Sequence, residues 1–192
     1  YASEELKNDK EVNFTAARKD GRVLRCISEK LWKDREFVLE MANVNSSILR
    51  YGPEVLKKDK EVILTAVKQN GLSLFFANHE LKNDKEVVLT AIEQNGLALQ
   101  HASEELKNNK EVVLTAVKNN INIQEVADII KRQLKERYLV LELIKNGAMW
   151  LQYASEELKS NKELVLTAVK KDGLALRYAS EELKNDKEVV LT

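Results

Sequence analysis

Sulfur is almost missing from this chain: Cys26 is the one cysteine in 192 residues. A lone thiol excludes a disulfide framework within the chain, and a reducing, cytoplasmic setting is the default expectation. A charge excess is missing too. Lys plus Arg is 31 and Asp plus Glu is 31, giving a net charge of zero. That balance argues against a general nucleic-acid or anionic-membrane binder, which carries a basic excess. No apolar run approaches the ~18 residues that a membrane-spanning helix needs, and no signal peptide is visible. There is no glycine-rich phosphate loop, Cys-x-x-Cys pair or His-x-x-x-His spacing. Neither an enzymatic activity nor a metal or cofactor is expected.

What the chain does have is one phrase, Ala-Ser-Glu-Glu-Leu-Lys, at Ala2–Lys7, Ala102–Lys107, Ala154–Lys159 and Ala179–Lys184. The material between these copies repeats as well. Units begin at Tyr1, Cys26, Tyr51, Phe76 and His101, so the same slot returns at every twenty-fifth position. A period of this size is the mark of a solenoid. About eight units fill the chain, and both ends fall inside the array, so it reads as a fragment of a longer solenoid. Residues 1–125 hold repeats one to five, 126–152 an irregular repeat, and 153–192 a regular repeat plus a partial one.

The unit Phe76 to Gln100 shows the local logic. Asn83-Asp84-Lys85-Glu86 offers a helix cap and a Glu able to reach back to a free backbone N–H. Val87, Val88, Leu89, Ala91 and Ile92 give an apolar face at helical spacing. Asn95-Gly96 predicts a helix stop with a left-handed glycine. Leu97 and Leu99 open a second apolar stripe, read as a shorter helix. Their period-two alternation leaves a strand-plus-helix, leucine-rich-type solenoid as the rival, although Ala, Gln and Leu favour helix. Pro53 occupies the slot of Ser3, Ser103, Ser155 and Ser180, which predicts a capped turn over Glu-Glu-Leu-Lys. Its leucine recurs as Leu6, Leu31, Leu56, Leu81, Leu106, Leu158 and Leu183, and burial between stacked units accounts for it. The expected fold is an all-α, right-handed α-solenoid.

After His101 the period slips. The next clear start is Tyr153, where two regular units would end at position 150. Val126, Ile130, Leu134, Tyr138, Leu141 and Ile144 recur at helical spacing, predicting one longer or fused helix across Asn122 to Lys145. An extra residue is read into the second helix beside Met149-Trp150. Such a departure is where a binding surface can sit, and Trp is enriched at interface hot spots. Trp150, Met149, Tyr138 and Arg137 are therefore the candidate interaction residues. The other reading of Trp150 is that it fills space, and Trp32 faces the same two readings. Asn43 to Ser47 is read as an altered loop.

Chemistry is hard to find. Cys26 stands in an aromatic slot and is expected to be a buried small hydrophobe. His101 shares that slot three units on, ~30 Å away at helix-packing rise, so no dyad forms. His79 replaces a turn Glu and is expected to be solvated. The Glu-Glu pairs read as solvated faces at a helix start. Asn13-Phe14-Thr15 and Asn45-Ser46-Ser47 match a glycosylation pattern by letters only. The register before the aromatic slot, Arg25, Arg50, Phe75, Gln100, Gln152 and Arg177, varies as a nucleic-acid code would. The balanced charge supplies no phosphate-binding stripe beside it.

The strings Leu81 to Ala91, Asn95 to Gln100 and Ala102 to Leu106 resemble the tandem repeats of the domain-of-unknown-function family numbered forty-one sixteen. The resemblance covers nearly the whole chain and is weakest over Cys26 to Arg50 and Asn120 to Gln152. It implies repeats found in bacteria, protists and large viruses, often in multi-repeat proteins, with no assigned activity. The expected function is a non-catalytic scaffold for a protein partner. The alternatives are a recognition arm of a larger enzyme or host-directed effector, and a nucleic-acid-binding solenoid.

Overall fold

The computed structural model describes residues 3–119 and 135–192. Among them every regular element is helical, and the fold is an all-α helical-repeat solenoid. The strand alternative fails because Leu97 and Leu99 lie in a 3₁₀-helix, Gly96–His101, with Leu99 buried and Leu97 half-buried. The chain divides into two compact units, 1–106 and 107–192.

Each fully described repeat has three parts: a short helical turn, a principal helix, and a second short helix. The principal helices of the first unit are α1 (Lys10–Lys19), α2 (Arg35–Val44), α3 (Lys60–Gln69) and α4 (Lys85–Gln94). Those of the second are α5 (Lys110–Lys118), α6 (Arg137–Asn146), α7 (Lys162–Lys171) and α8 (Lys187–Val190). Within each unit, successive principal helices pack side by side, and the short helices form a second row against them.

Caps fix the register. Asp9, Asp34, Asp59, Asp84, Asn109, Asn161 and Asp186 each accept a backbone N–H from the first turn of their principal helix. Buried residues then form a broad stripe along each of α2 to α7, whereas α1 buries only Asn13 and Ala17. In α2 they are Phe37, Val38, Met41 and Ala42, and in α4 they are Val87, Val88, Ala91 and Ile92. This stripe faces both the neighbouring principal helices and the second row. The turn's Ser caps as expected: Ser103 Oγ accepts the Leu106 N–H at 3.2 Å and Ser155 Oγ that of Leu158 at 3.3 Å. The repeated leucines are buried from Leu31 to Leu183, but Leu6 is 45% exposed.

Two local expectations need correction. The glycines after the principal helices are not left-handed: Gly21, Gly71 and Gly173 have no positive φ. The preceding Asp or Asn takes an extended φ near −150° and caps the 3₁₀-helix that follows, as Asn70 Oδ1 does for the Leu72 N–H at 3.1 Å. Gly71 is needed for close approach instead, because a Cβ there would lie 2.1 Å from Ala91 O of the next repeat. The Glu of the cap motif does not reach back either. Glu86 stands second in α4, and its carboxylate meets Lys60 Nζ of the preceding repeat at 2.8 Å.

The irregular repeat is also simpler than its sequence suggested. α6 begins at Arg137, after extended Glu136, so a single helix across Asn122–Lys145 is excluded at that point. The residues 120–134 of that expectation lie outside the described ones. From Arg137 to Lys162 the spacing is regular again, and Ala148–Tyr153 is as long as Gly71–Phe76. No extra residue sits beside Met149-Trp150. Gly147 fills the Asn slot and Ala148 the Gly slot, which places both added residues between Lys110 and Arg137.

Candidate interaction surfaces

The principal-helix starts carry a ladder of charges between repeats. Lys10 pairs with Asp34 at 2.7 Å, and Arg35 with Asp59 and Glu61. Lys60 pairs with Asp84 and Glu86, and Lys162 with Asp186 and Glu188. Each cation is the first residue of one helix, and each anion is the cap or second residue of the next. The bond from Arg35 holds the Asp59 carboxyl below its usual range, against the opposing effect of partial burial. In this ladder each repeat supplies countercharge for its neighbour.

Arg137 and Tyr138 belong to this ladder. Arg137 is the first residue of α6 and bonds Glu163, while Tyr138 stands in the slot of Glu61 and Glu86 and is 61% exposed. Lys110 consequently finds no acid in that slot and meets Glu136 at 3.2 Å. Met149 is 50% exposed, in the slot of Leu72. Trp150 is 4% exposed and takes the slot of the small residues Ser73 and Ala98, with its ring 6.0 Å from that of Tyr153. Thus Met149 and Tyr138 present apolar surface, Arg137 is committed to an ion pair, and Trp150 contributes packing.

Trp32 is half-buried against Gly52, where a Cβ would come 3.1 Å from the indole. The neighbouring Pro53 interrupts a backbone ladder. Ser28, Asn78, Ser103 and Ser180 donate their N–H groups to Lys7 O, Lys57 O, Lys82 O and Lys159 O, the turn lysines of the preceding repeats. Proline has no N–H to give. Asn13 is buried within α1, where its amide donates to Leu6 O, Lys7 O and Asp9 O. Asn45 donates to Ala17 O at 2.7 Å. Both asparagines of the glycosylation pattern are therefore structural.

Cys26 corrects the sequence expectation, since it is exposed. Its slot is a half-open edge occupied elsewhere by Tyr51, Phe76 and His101, all half-buried. His101 packs edge-on to Phe75 at 5.3 Å, and His79 is exposed. The Glu pairs are helix-start residues whose first member meets the turn Lys, as Glu156 meets Lys159 at 2.7 Å. Among the described residues no group of three or more His, Cys, Asp or Glu is placed to hold a metal ion. Nor is any described helix long and apolar enough to cross a membrane.

The register before the aromatic slot lies on the short helices of each unit, Arg25, Arg50, Phe75 and Gln100 in the first and Gln152 and Arg177 in the second, exposed at every position but Gln152, which is half-buried. Arg25 and Arg50 lie over the Tyr51 ring, at 4.7 and 5.4 Å from its centroid. Phe75 is 56% exposed and packs edge-on to Phe76 at 5.1 Å. Lys82 lies 5.6 Å from the Phe75 centroid, and its partial burial pushes the ammonium below its ordinary pKa. In the second unit Arg177 stacks on Tyr178 at 4.6 Å and bonds its hydroxyl. Sequence reasoning found this register but not these stackings. Apart from Lys82 on Phe75, seven residues away, each joins residues that are adjacent or about one repeat apart, and ring geometry is invisible in a string.

Comparison with known proteins bears on the repeat as a whole. The family model described as Domain of unknown function (DUF4116) matches residues 1–32, 34–82, 84–130, 137–180 and 161–192. Its three longer matches each span just under two repeats. No curated protein and no solved structure matches the chain.

Proposed function

The chain belongs to the DUF4116 family of repeated domains, and from that premise we propose that it is a non-catalytic scaffold whose repeat surface binds a protein partner. One observation carries the reading: a register that varies, Arg25, Arg50, Phe75, Gln100, Gln152 and Arg177, lies open or half-open on a frame that hardly varies. Caps, buried leucines and ladder charges are reused in successive repeats and hold the backbone. The varying register is free to encode recognition. Extended surfaces of this kind suit macromolecular ligands better than small ones.

The test uses the intact chain as bait in cross-linking capture from lysate of its source cells. Captured proteins are identified and then re-bound in purified form. A saturable one-to-one complex is expected, and the absence of any purified protein that re-binds would sink the reading. A nucleic-acid reader is the second possibility, favoured by the arginines stacked on Tyr51. Gel shifts at low salt with random-sequence RNA and DNA dispose of it if no complex forms.

A further inference from the structure

We propose that the short-helix face of the first unit, around Tyr51, is a docking site for an acidic peptide segment that also carries an apolar side chain. The proposal rests on the scaffold reading and names its surface and the chemistry of its partner.

Charge is the first argument. The first residues of α1, α2 and α3 are all neutralised by the next repeat. Arg25 and Arg50 are not. Both are exposed, and neither has a carboxylate within ion-pair distance among the described residues. Both guanidiniums lie within 5.4 Å of one ring centroid. Stacking leaves their N–H edges free to donate, and the ring sets the plane in which they do so. Two fixed cations on a chain of zero net charge form a local anion site.

Shape is the second argument. Arg50 also borders a groove lined by Ser46, Ser47, Asn70, Leu72 and Phe76. A groove at the matching register follows α6, lined by Ala148, Met149 and Asp172, but the lining differs in the second repeat, where Ser46 replaces the usual Gly and Ile48–Tyr51 is an α-turn rather than a 3₁₀-helix. The Ser46 and Ser47 hydroxyls are half-exposed and make no side-chain hydrogen bond among the described residues. The groove therefore offers two free hydroxyls and one arginine beside the apolar walls of Leu72 and Phe76. Carboxylates meet the polar side, and an apolar side chain meets the wall.

Extent is the third argument, and it separates a peptide from a nucleic acid. A single strand needs cations along its whole track, with stacking at successive bases. Here the row runs Arg25, Arg50, and then Phe75 and Gln100, so two exposed arginines give way to an aromatic and an amide, and the cation beside Phe75, Lys82, is half-buried. A short acidic stretch next to an apolar residue fits that sequence of groups.

The experiment titrates the full chain into a fluorescein-labelled nonapeptide with four Asp or Glu residues around one central Phe. Anisotropy is read at about 50 mM salt, where screening is weak. Saturable binding is expected with Kd on the order of 10–100 µM, the range of a small transient contact. Arg25→Gln and Arg50→Gln should each weaken it about threefold or more, and the double variant about tenfold or more. Arg177→Gln, an arginine stacked in the other unit, should leave it within about 1.5-fold. All three sites are exposed, and circular dichroism checks that the variants fold. Absence of saturation, an equal effect of Arg177→Gln, or no effect of the double variant would overturn the proposal. So would tighter binding of a labelled twelve-nucleotide oligo-dT that the peptide cannot displace, which would assign the face to nucleic acid. If the chain re-binds a purified partner with undiminished affinity in the double variant, this surface is wrong and the scaffold reading stands. If it binds neither peptide nor partner, both fall.

Discussion

Alanine at Gly71 and alanine at Gly173 should act in opposite directions, although both glycines open the same short helix of their repeats. The perturbation is one methyl group. At Gly71 its carbon would sit 2.1 Å from Ala91 O and 3.1 Å from Asn95 N, both backbone atoms of α4 or its cap. The first distance is far inside the 3.4 Å at which such contacts become ordinary. No rotamer can relieve a clash between two backbones, so the end of α4 has to move away. Overpacking of this kind costs about 1–3 kcal/mol, and at about 2–4 °C per kcal/mol for a chain of this size Tm should fall by roughly 2–12 °C. At Gly173 nothing lies within 4 Å. There alanine only restricts the unfolded chain, and about 0.4–1 kcal/mol of stabilisation is expected.

Urea unfolding followed by circular dichroism measures the sign. Hydrogen exchange at the Asn95 amide, which donates to Ala91 O at 2.9 Å, locates the effect. Exchange there should accelerate in Gly71→Ala and stay unchanged in Gly173→Ala. Equal destabilisation of the two variants would refute the reasoning. That result belongs to a left-handed glycine, whose replacement costs about 1–2 kcal/mol wherever it stands.

Three further outcomes follow from the packing. Leu81→Ala should cost about 2–5 kcal/mol in chemical denaturation, because Leu81 is 8% exposed, while Leu6→Ala at 45% exposure should cost clearly less. Asn13→Asp turns a carboxylate toward the three carbonyls its amide now serves, so a loss of at least about 2 kcal/mol is expected at pH 7. The loss should shrink near pH 4, where the introduced carboxyl takes up a proton and can donate; a pH-independent loss would count against this account. Arg35→Gln removes the partner that, more than any other group, depresses the Asp59 pKa. A depressed carboxyl contributes stability above its unfolded pKa and loses it as pH falls through the folded value. The variant should therefore be less stable than the parent at pH 7, with a gap that narrows as pH falls through the carboxylate range, as read from paired urea melts across that range; a gap that does not change with pH would contradict it.

Much of the fold was legible because the chain states it repeatedly. A cap, an apolar stripe and a turn leucine are local patterns, and their regular recurrence forces stacking, since one repeat cannot bury two stripes alone. The errors came where a residue's reason lay in the adjacent repeat. Glu86 read as half of a capping box because its true partner, Lys60, belongs to the preceding repeat. The Asn-Gly pair read as a helix stop because the backbone it admits, at Ala91, belongs to the next helix. In the irregular repeat Asn146-Gly147 kept the same letters one position out of register, so an insertion was assigned to the wrong segment.

Sequence alone determined the all-helical repeat and its period, its caps and the family to which the chain belongs. These depend on contacts within a few residues or on recurrence itself. Tertiary structure decided which side chains face outward at the seams. It buried Trp150 in the slot that Ser73 and Ala98 hold elsewhere, exposed Cys26, and set Arg25 and Arg50 on one tyrosine ring. The physical reason is that exposure at a seam depends on the neighbouring repeat's side chains, and a period fixes where that neighbour begins without fixing what fills the space between.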